Sequence, residues 1–190
     1  MTTPAAKVGD DQGIPKALLL KFNDAQWGAE RLQGIPVFKC FSKDELTRIY
    51  KKGQVRALKP GAHAVIEGEG TRGVFLILSG SMSVYKTDQS AGTMYRIAHL
   101  NEGQHFGEMS LFDKAPRSAT VAADTPSYLF HLEAKEFDAF LAAAGDAVRA
   151  RFFKACAEDL SARFRVLNAD YINSQQLLWK YALRRSESGA

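Results

Sequence analysis

The sequence predicts an α+β protein, an antiparallel β-sandwich or barrel flanked by N-terminal and C-terminal helices. Three observations point there. Between Gln54 and Leu132, short runs rich in Val, Ile, Phe and Tyr are separated by glycine-containing turns. No long helical pattern interrupts these runs, which disfavours a doubly wound parallel sheet. On either side of them the apolar residues recur at helical spacing instead.

Composition narrows the class. The chain has 190 residues, 46% apolar and 24% charged, with a formal net charge of +4. These are the proportions of an ordinary globular domain with some extra helix, not of a disordered chain, a collagen or a coiled-coil rod. No stretch approaches the ~18 apolar residues of a membrane span. Residues 1–13 read as a flexible tail without the apolar core of a signal peptide, so a cytoplasmic location is expected. Cys40 and Cys156 have no metal-ligand spacing and read as reduced, buried thiols.

The elements follow in order. Residues 14–52 form an N-terminal helical segment. Within it Leu18, Leu19, Phe22, Trp27 and Leu32 predict short helices, and residues 35–41 an apolar elbow. Ser42 with Glu45 three residues on is a capping pattern that starts a helix with Leu46, Ile49 and Tyr50 on its buried side. Residues 53–145 carry the β-roll and a following short helix. Strands are expected over Val55–Leu58, Ala64–Glu67, Gly73–Leu78, Ser81–Lys86, Met94–Leu100, Ala119–Ala122 and Ser127–Leu132. Ser79-Gly80 predicts a tight hairpin between two of them. The stripe Phe137, Phe140, Leu141 is the short helix, and Gly145 allows a break. In residues 146–190, Val148, Phe152, Cys156, Leu160 and Phe164 predict a long helix, and the apolar residues from Tyr171 to Tyr181 a further one. Asp146 to Arg185 holds eight basic and four acidic residues, a basic segment that could meet nucleic acid, an anionic membrane or an acidic partner, or simply form a solvated helix face.

The segment Gly103 to Val121 carries the chemistry. It reads as a strand end, Gly107, a short helical turn near Glu108, a loop, and Arg117 re-entering a strand after Pro116. Gly107 lets backbone approach a ligand closely. The N–H groups of the turn and the planar fork of Arg117 suit an anion. Glu108 can only accept hydrogen bonds, as from sugar hydroxyls. Together these groups suit a phosphorylated sugar. A plain ion pair between Glu108 and Arg117 is the alternative.

Phe106-Gly-Glu-Met-Ser-Leu-Phe112 followed by Pro116-Arg-Ser-Ala-Thr-Val121 resembles the phosphate-binding cassette of the cyclic nucleotide-binding domain family. That family includes catabolite activator proteins, regulatory subunits of protein kinase A and cyclic nucleotide-gated channels. Gly61, Ile66, Glu67-Gly68 and the run from Val74 to Gly80 match the upstream pattern, so the resemblance covers about Phe38 to Leu141. It implies a jelly roll, or double-stranded β-helix, and a ligand, cAMP or cGMP, in place of a cofactor. By position, Glu108 resembles the acid on the ribose 2′-hydroxyl and Arg117 the arginine on the cyclic phosphate. Phe106, Gly107, Met109 and Ser110 would shape the turn, and Ser118 and Ala119 would line the phosphate side. Ser118 follows the cassette arginine with a hydroxyl but no methyl, which leans to cAMP and leaves cGMP open. The purine is capped in this family from the C-terminal helix, and Arg151, Phe152, Lys154 and Arg163 are the candidates.

The resemblance implies a stand-alone, non-enzymatic sensor that signals through its C-terminal helices to an effector protein, with a homodimer through the long helix plausible. The alternative is a nucleotide-independent scaffold on the same fold. DNA binding is not expected, since the residues after Gly145 hold no recognisable helix-turn-helix. A metal enzyme is not expected either: His63, His99, His105 and His131 form no ligand motif.

Overall fold

The structure is a computed structural model that describes residues 7–8, 15–88 and 90–187. The predicted tail lies outside these apart from β1 (Lys7–Val8), which pairs in parallel with β2 (Gln54–Leu58). Two helices, α1 (Lys16–Phe22) and α2 (Ala25–Leu32), follow. Asp24 caps α2 through the Gln26 and Trp27 N–H groups. A 3-10 turn at Pro36–Phe38 leads to α3 (Lys43–Tyr50). The capping box at its start is formed: Glu45 N–H donates to Ser42 Oγ, and Ser42 N–H to Glu45 Oε2.

Eight further strands build two packed sheets. They are β2, β3 (His63–Val65), β4 (Gly73–Ser79), β5 (Ser81–Thr87), β6 (Met94–Asn101), β7 (His105–Phe106), β8 (Thr120–Ala123) and β9 (Ser127–Glu133). One sheet has the order β1-β2-β9-β4-β7 and the other β3-β8-β5-β6, antiparallel throughout apart from β1. Residues alternate between faces. On β4, Phe75 and Ile77 face the inter-sheet core with Leu129, Met82, Phe106 and Val121. Val74, Leu76 and Leu78 face the helices, with Val55, Phe130 and Leu132. Burial on both faces explains why the apolar run of β4 is unbroken in the sequence.

The expected hairpin at Ser79-Gly80 is not one. β4 pairs with β7 and β9, and β5 pairs with β6 and β8, so the chain changes sheets at this corner. Gly80 has φ +95°, and a Cβ there would meet Ser127 Oγ and the Pro126 carbonyl. The same glycine that suits a hairpin turn suits a corner pressed against the next strand.

Helix α4 (Ala134–Ala144) packs Phe137, Phe140 and Leu141 into the helical core, and Gly145 breaks it. The second correction follows. A single helix, α5 (Asp146–Glu187), runs for 42 residues where a long helix and a separate further one were expected. Nothing from Asp146 to Glu187 is Gly or Pro, so no residue type forces a break. Its fourfold apolar stripe is divided: Phe152 is buried and Val148 and Cys156 half-buried, while Leu160 and Phe164 are exposed. Arg151 Nη2 donates to Glu45 Oε1 at 2.7 Å and ties α5 to α3.

Candidate functional site

The site is assembled where the first sheet hands the chain to the turn after β7. Gly107 has φ +81°, in the left-handed region, and begins a 3-10 turn over Glu108–Leu111. A Cβ on Gly107 would lie 2.5 Å from Arg117 Nη1 and 2.8 Å from Gly73 O. Glycine is therefore required twice, for the backbone angle and for the approach of the arginine.

Arg117 is buried, 7% exposed, and makes its hydrogen bonds to neutral oxygens. Nη2 donates to Gly73 O at 3.0 Å, Nε to Thr71 Oγ1 at 3.3 Å, and Nη1 to Ser110 Oγ and Gly107 O at 3.3 and 3.4 Å. Its guanidinium lies over the Phe75 ring, 5.6 Å from the centroid. Burial lowers its pKa, against which the charge of Glu69 acts. No acid forms an ion pair with it among the described residues. The ion pair with Glu108 weighed from the sequence is therefore not formed.

Three of those bonds are long for N–H···O contacts, which leaves the fork weakly held. A buried cation that meets only neutral acceptors gains most from an anion placed against it.

A cavity of about 290 Å³ opens beside it. Phe106, Gly107, Glu108, Met109, Ser110, Arg117, Ser118 and Ala119 all line it, so the structure brings together every site residue read from the sequence. They differ in exposure. Phe106 and Ser110 are buried, Ala119, Gly107 and Glu108 half-buried, and Met109 and Ser118 exposed. Ser110 Oγ is already used: it donates to Gly107 O at 2.8 Å and accepts from Gly73 N–H at 2.9 Å. Its side chain fixes the turn.

The apolar end of the cavity is Val65, Val84, Leu100 and Val121, and His105 and Asp113 add polar groups. None of these six was picked out as a site residue from the sequence: Val65, Val84 and Leu100 come from separate strands that only folding brings together, while His105, Asp113 and Val121 lie within the cassette segment itself. Lys86 braces the far side: Nζ donates to Ser118 O at 2.7 Å and contacts Glu67 Oε1 at 2.5 Å.

The base-cap candidates fare differently. Phe152 is 1% exposed, inside a cluster with Phe41, Phe137 and Phe112, and is not available to stack on a base in this conformation. Arg151 is engaged by Glu45, Lys154 pairs with Glu158 on the surface, and Arg163 falls outside the described side chains. The exposed aromatic residue of α5 beside the cassette turn is Phe153. With Met109, Phe112 and Leu160 it lines an apolar groove of about 480 Å³, which shares Glu108, Met109 and Asp113 with the cavity. Adjacent residues on a helix point about 100° apart, so an error of one position exchanges a core residue for a groove residue.

A buried arginine, a left-handed glycine and a short turn around one cavity give the β-roll a pocket suited to an anionic ligand. Residues 55–144 match the family model for the cyclic nucleotide-binding domain, and this part of the chain belongs to that family. A cAMP-dependent protein kinase regulatory subunit from Mycosarcoma maydis is 34% identical over 92 residues, 48% of this chain and 17% of that protein. The chain thus spans only a small part of this curated relative. The N-terminal domain of a transcriptional regulator from Streptomyces coelicolor A3(2) superposes with a TM-score of 0.65 at 22% identity, covering 72% of this chain and 93% of that one. The regulatory domain of Toxoplasma gondii PKA, solved with cAMP, gives 0.59 at 19% identity, covering 76% and 53%. These two likenesses establish the shared fold. No helix among the described residues is long and apolar enough to cross a membrane.

Proposed function

We propose that this chain is a cyclic nucleotide sensor: it binds cAMP, with cGMP the rival ligand, performs no catalysis of its own, and signals through α5. One observation carries the reading. The buried guanidinium of Arg117 reaches the cavity wall with neutral oxygens as its partners. A cyclic phosphodiester has the single negative charge that this cation lacks. Glu108 would take the ribose 2′-hydroxyl, Met109 and Gly107 would present backbone, and Ser118 and Ala119 would border the phosphate. Ligand binding then favours one arrangement of the turn, and α4 and α5 respond as a population shift. The reading places the protein in the cytoplasm.

The test is a calorimetric titration of nucleotide-stripped protein with cAMP and with cGMP. Saturable binding of either, at about micromolar Kd or tighter, supports the sensor. No heat with either at millimolar nucleotide would favour the nucleotide-independent scaffold.

The exposed face of α5 supports a partner for the signal. Phe153, Leu160, Phe164 and Tyr171 are all more than half exposed and fall seven, four and seven residues apart. That is the spacing of a coiled-coil seam. A second copy of the chain, or an effector helix, would cover it. Sedimentation with and without nucleotide distinguishes a homodimer from a monomer that awaits another protein.

A further inference from the structure

The groups that hold the cassette in place converge on three residues that the ligand is not expected to touch. Thr71 Oγ1 accepts from Arg117 Nε, and Gly73 O accepts from Arg117 Nη2. Gly73 N–H donates to Ser110 Oγ. Between them, Arg72 Nε donates to Ser110 O at 3.0 Å and to Asp113 O at 3.1 Å. The residues leading into β4 therefore bind both halves of the cassette at once, the turn and the arginine 46 residues beyond Thr71.

Arg72 is a second guanidinium beside the site, yet it does not line the cavity. It holds two carbonyl oxygens at the end of the turn, and the residues that own them, Ser110 and Asp113, do line it. Its own backbone is fixed, since Ala134 N–H donates to Arg72 O at 3.2 Å where β9 passes into α4. One N–H of a charged guanidinium shared by two carbonyls ties both to the same point. Positioning a site to within fractions of an ångström depends on such supporting groups.

We infer that Arg72 is a positioning residue, which sets the turn of Glu108–Leu111 at the angle the ligand requires. The inference rests on the cyclic nucleotide reading of the cavity. Ser110 and Leu111 are buried against the body of the domain, so the turn cannot swing freely. Losing Arg72 tilts it, and Glu108, at its first position, moves furthest from its target.

The experiment has two independent readouts. Amide hydrogen exchange across residues 107–113 is measured without nucleotide in wild type, Arg72→Met and Arg72→Gln. The Met variant keeps the stem but has a methyl where Nε stands, whereas the Gln amide nitrogen stands at that position with two N–H donors. We expect exchange in this segment to rise about tenfold or more in Arg72→Met, with β4 and β9 unchanged, and to recover largely in Arg72→Gln. Exchange that does not move overturns the placement of Arg72 whatever the protein binds.

The second readout is the ratio of affinities for cAMP and 2′-deoxy-cAMP. Arg72→Met should pull that ratio towards the ratio of Glu108→Gln, and Arg72→Gln should restore it. Equal weakening for both nucleotides would mean a merely structural role and overturns the inference. Wild-type protein that binds neither nucleotide would overturn the reading of the site instead, so the two failures are distinguishable.

Discussion

The ring of Phe112 stacks on that of Phe152, centroids 5.5 Å apart and planes inclined by 23°. Phe112 ends the cassette turn and Phe152 is the buried anchor of α5, so the end of the turn touches the long helix directly. Phe152 in turn packs on Phe41 and Phe137. A shift of the turn must be passed to α5 or absorbed by repacking, and dense cores do not deform continuously.

Phe112→Ala should therefore separate binding from signalling. Removing a stacked ring costs about 1 kcal/mol beyond its buried area, while no group assigned to the ligand is lost. Nucleotide affinity is expected to stay within roughly fivefold of wild type. Nucleotide-dependent protection of amides 148–160 should fall by more than half. Wild-type protection in the variant would show that the signal takes another route.

Arg117→Ala tests the anion site. The variant leaves a phosphate without its charged partner, a loss of ~2–5 kcal/mol by analogy with buried charge pairs. Calorimetry should find cAMP binding at least tenfold weaker. Gly73 O and Gly107 O lose a donor as well, so titration belongs well below the melting temperature of the variant. Unchanged affinity would remove Arg117 from the site.

Much of this was legible in the sequence, for reasons that differ by residue. The Ser42–Glu45 box is local, and local chemistry decides it. The cassette spans about fifteen residues of one chain segment, so its members are neighbours before folding brings Arg117 onto Gly107. The run from Gly73 to Ser79 announced a buried strand. What the sequence left open depends on long range. Whether Gly80 makes a hairpin or a corner is settled by Ser127 pressing against it from another strand. Phe152 and Phe153 are the same residue type on one helix, and only the packing of α5 against Phe41 and Phe137 separates core from groove. Arg72 precedes an apolar strand like any surface arginine, and its two carbonyl partners lie 38 and 41 residues away.

Gly107→Ala should damage the site without breaking the fold. A left-handed backbone angle costs a non-glycine residue roughly 1–2 kcal/mol, and the added methyl displaces Arg117 Nη1 or Gly73 O. The expected outcome is a melting temperature lower by several degrees, about 4–8 °C per kcal/mol for a 60–100-residue domain and less for a longer chain, with cAMP affinity down at least tenfold. Gly92, also at positive φ but with open space around it, is the control: Gly92→Ala should carry the backbone cost and leave affinity alone. Equal affinity losses in both variants would refute the close-approach argument.

The last prediction concerns acid. His131 is 7% exposed, lies face to face with Phe75 at 4.2 Å, and its Nδ1 has no hydrogen-bond partner among the described residues. Burial, aided by the positive charge of Arg56, pushes its pKa down to about 4, and Glu133 opposes this. The folded protein therefore keeps His131 neutral in a range where the unfolded chain, with a pKa near the ordinary 6.5, takes up a proton. The unfolded state binds more protons between these values, so stability is complete above pH 6.5 and falls as the pH drops towards 4. The loss amounts to as much as about 3 kcal/mol. His131→Phe keeps a flat ring on Phe75 and removes both the titrating group and the orphaned nitrogen. It should match or exceed wild type by about 1 kcal/mol at neutral pH and lose less on acidification. Glu45 and Glu133, held below the ordinary carboxylate range, also lose stability in acid, but both proteins carry them. Urea denaturation at pH 7 and pH 4.5 isolates the histidine as the difference between the two curves. Parallel losses would place the acid sensitivity in the carboxylates and leave His131 without a part in it.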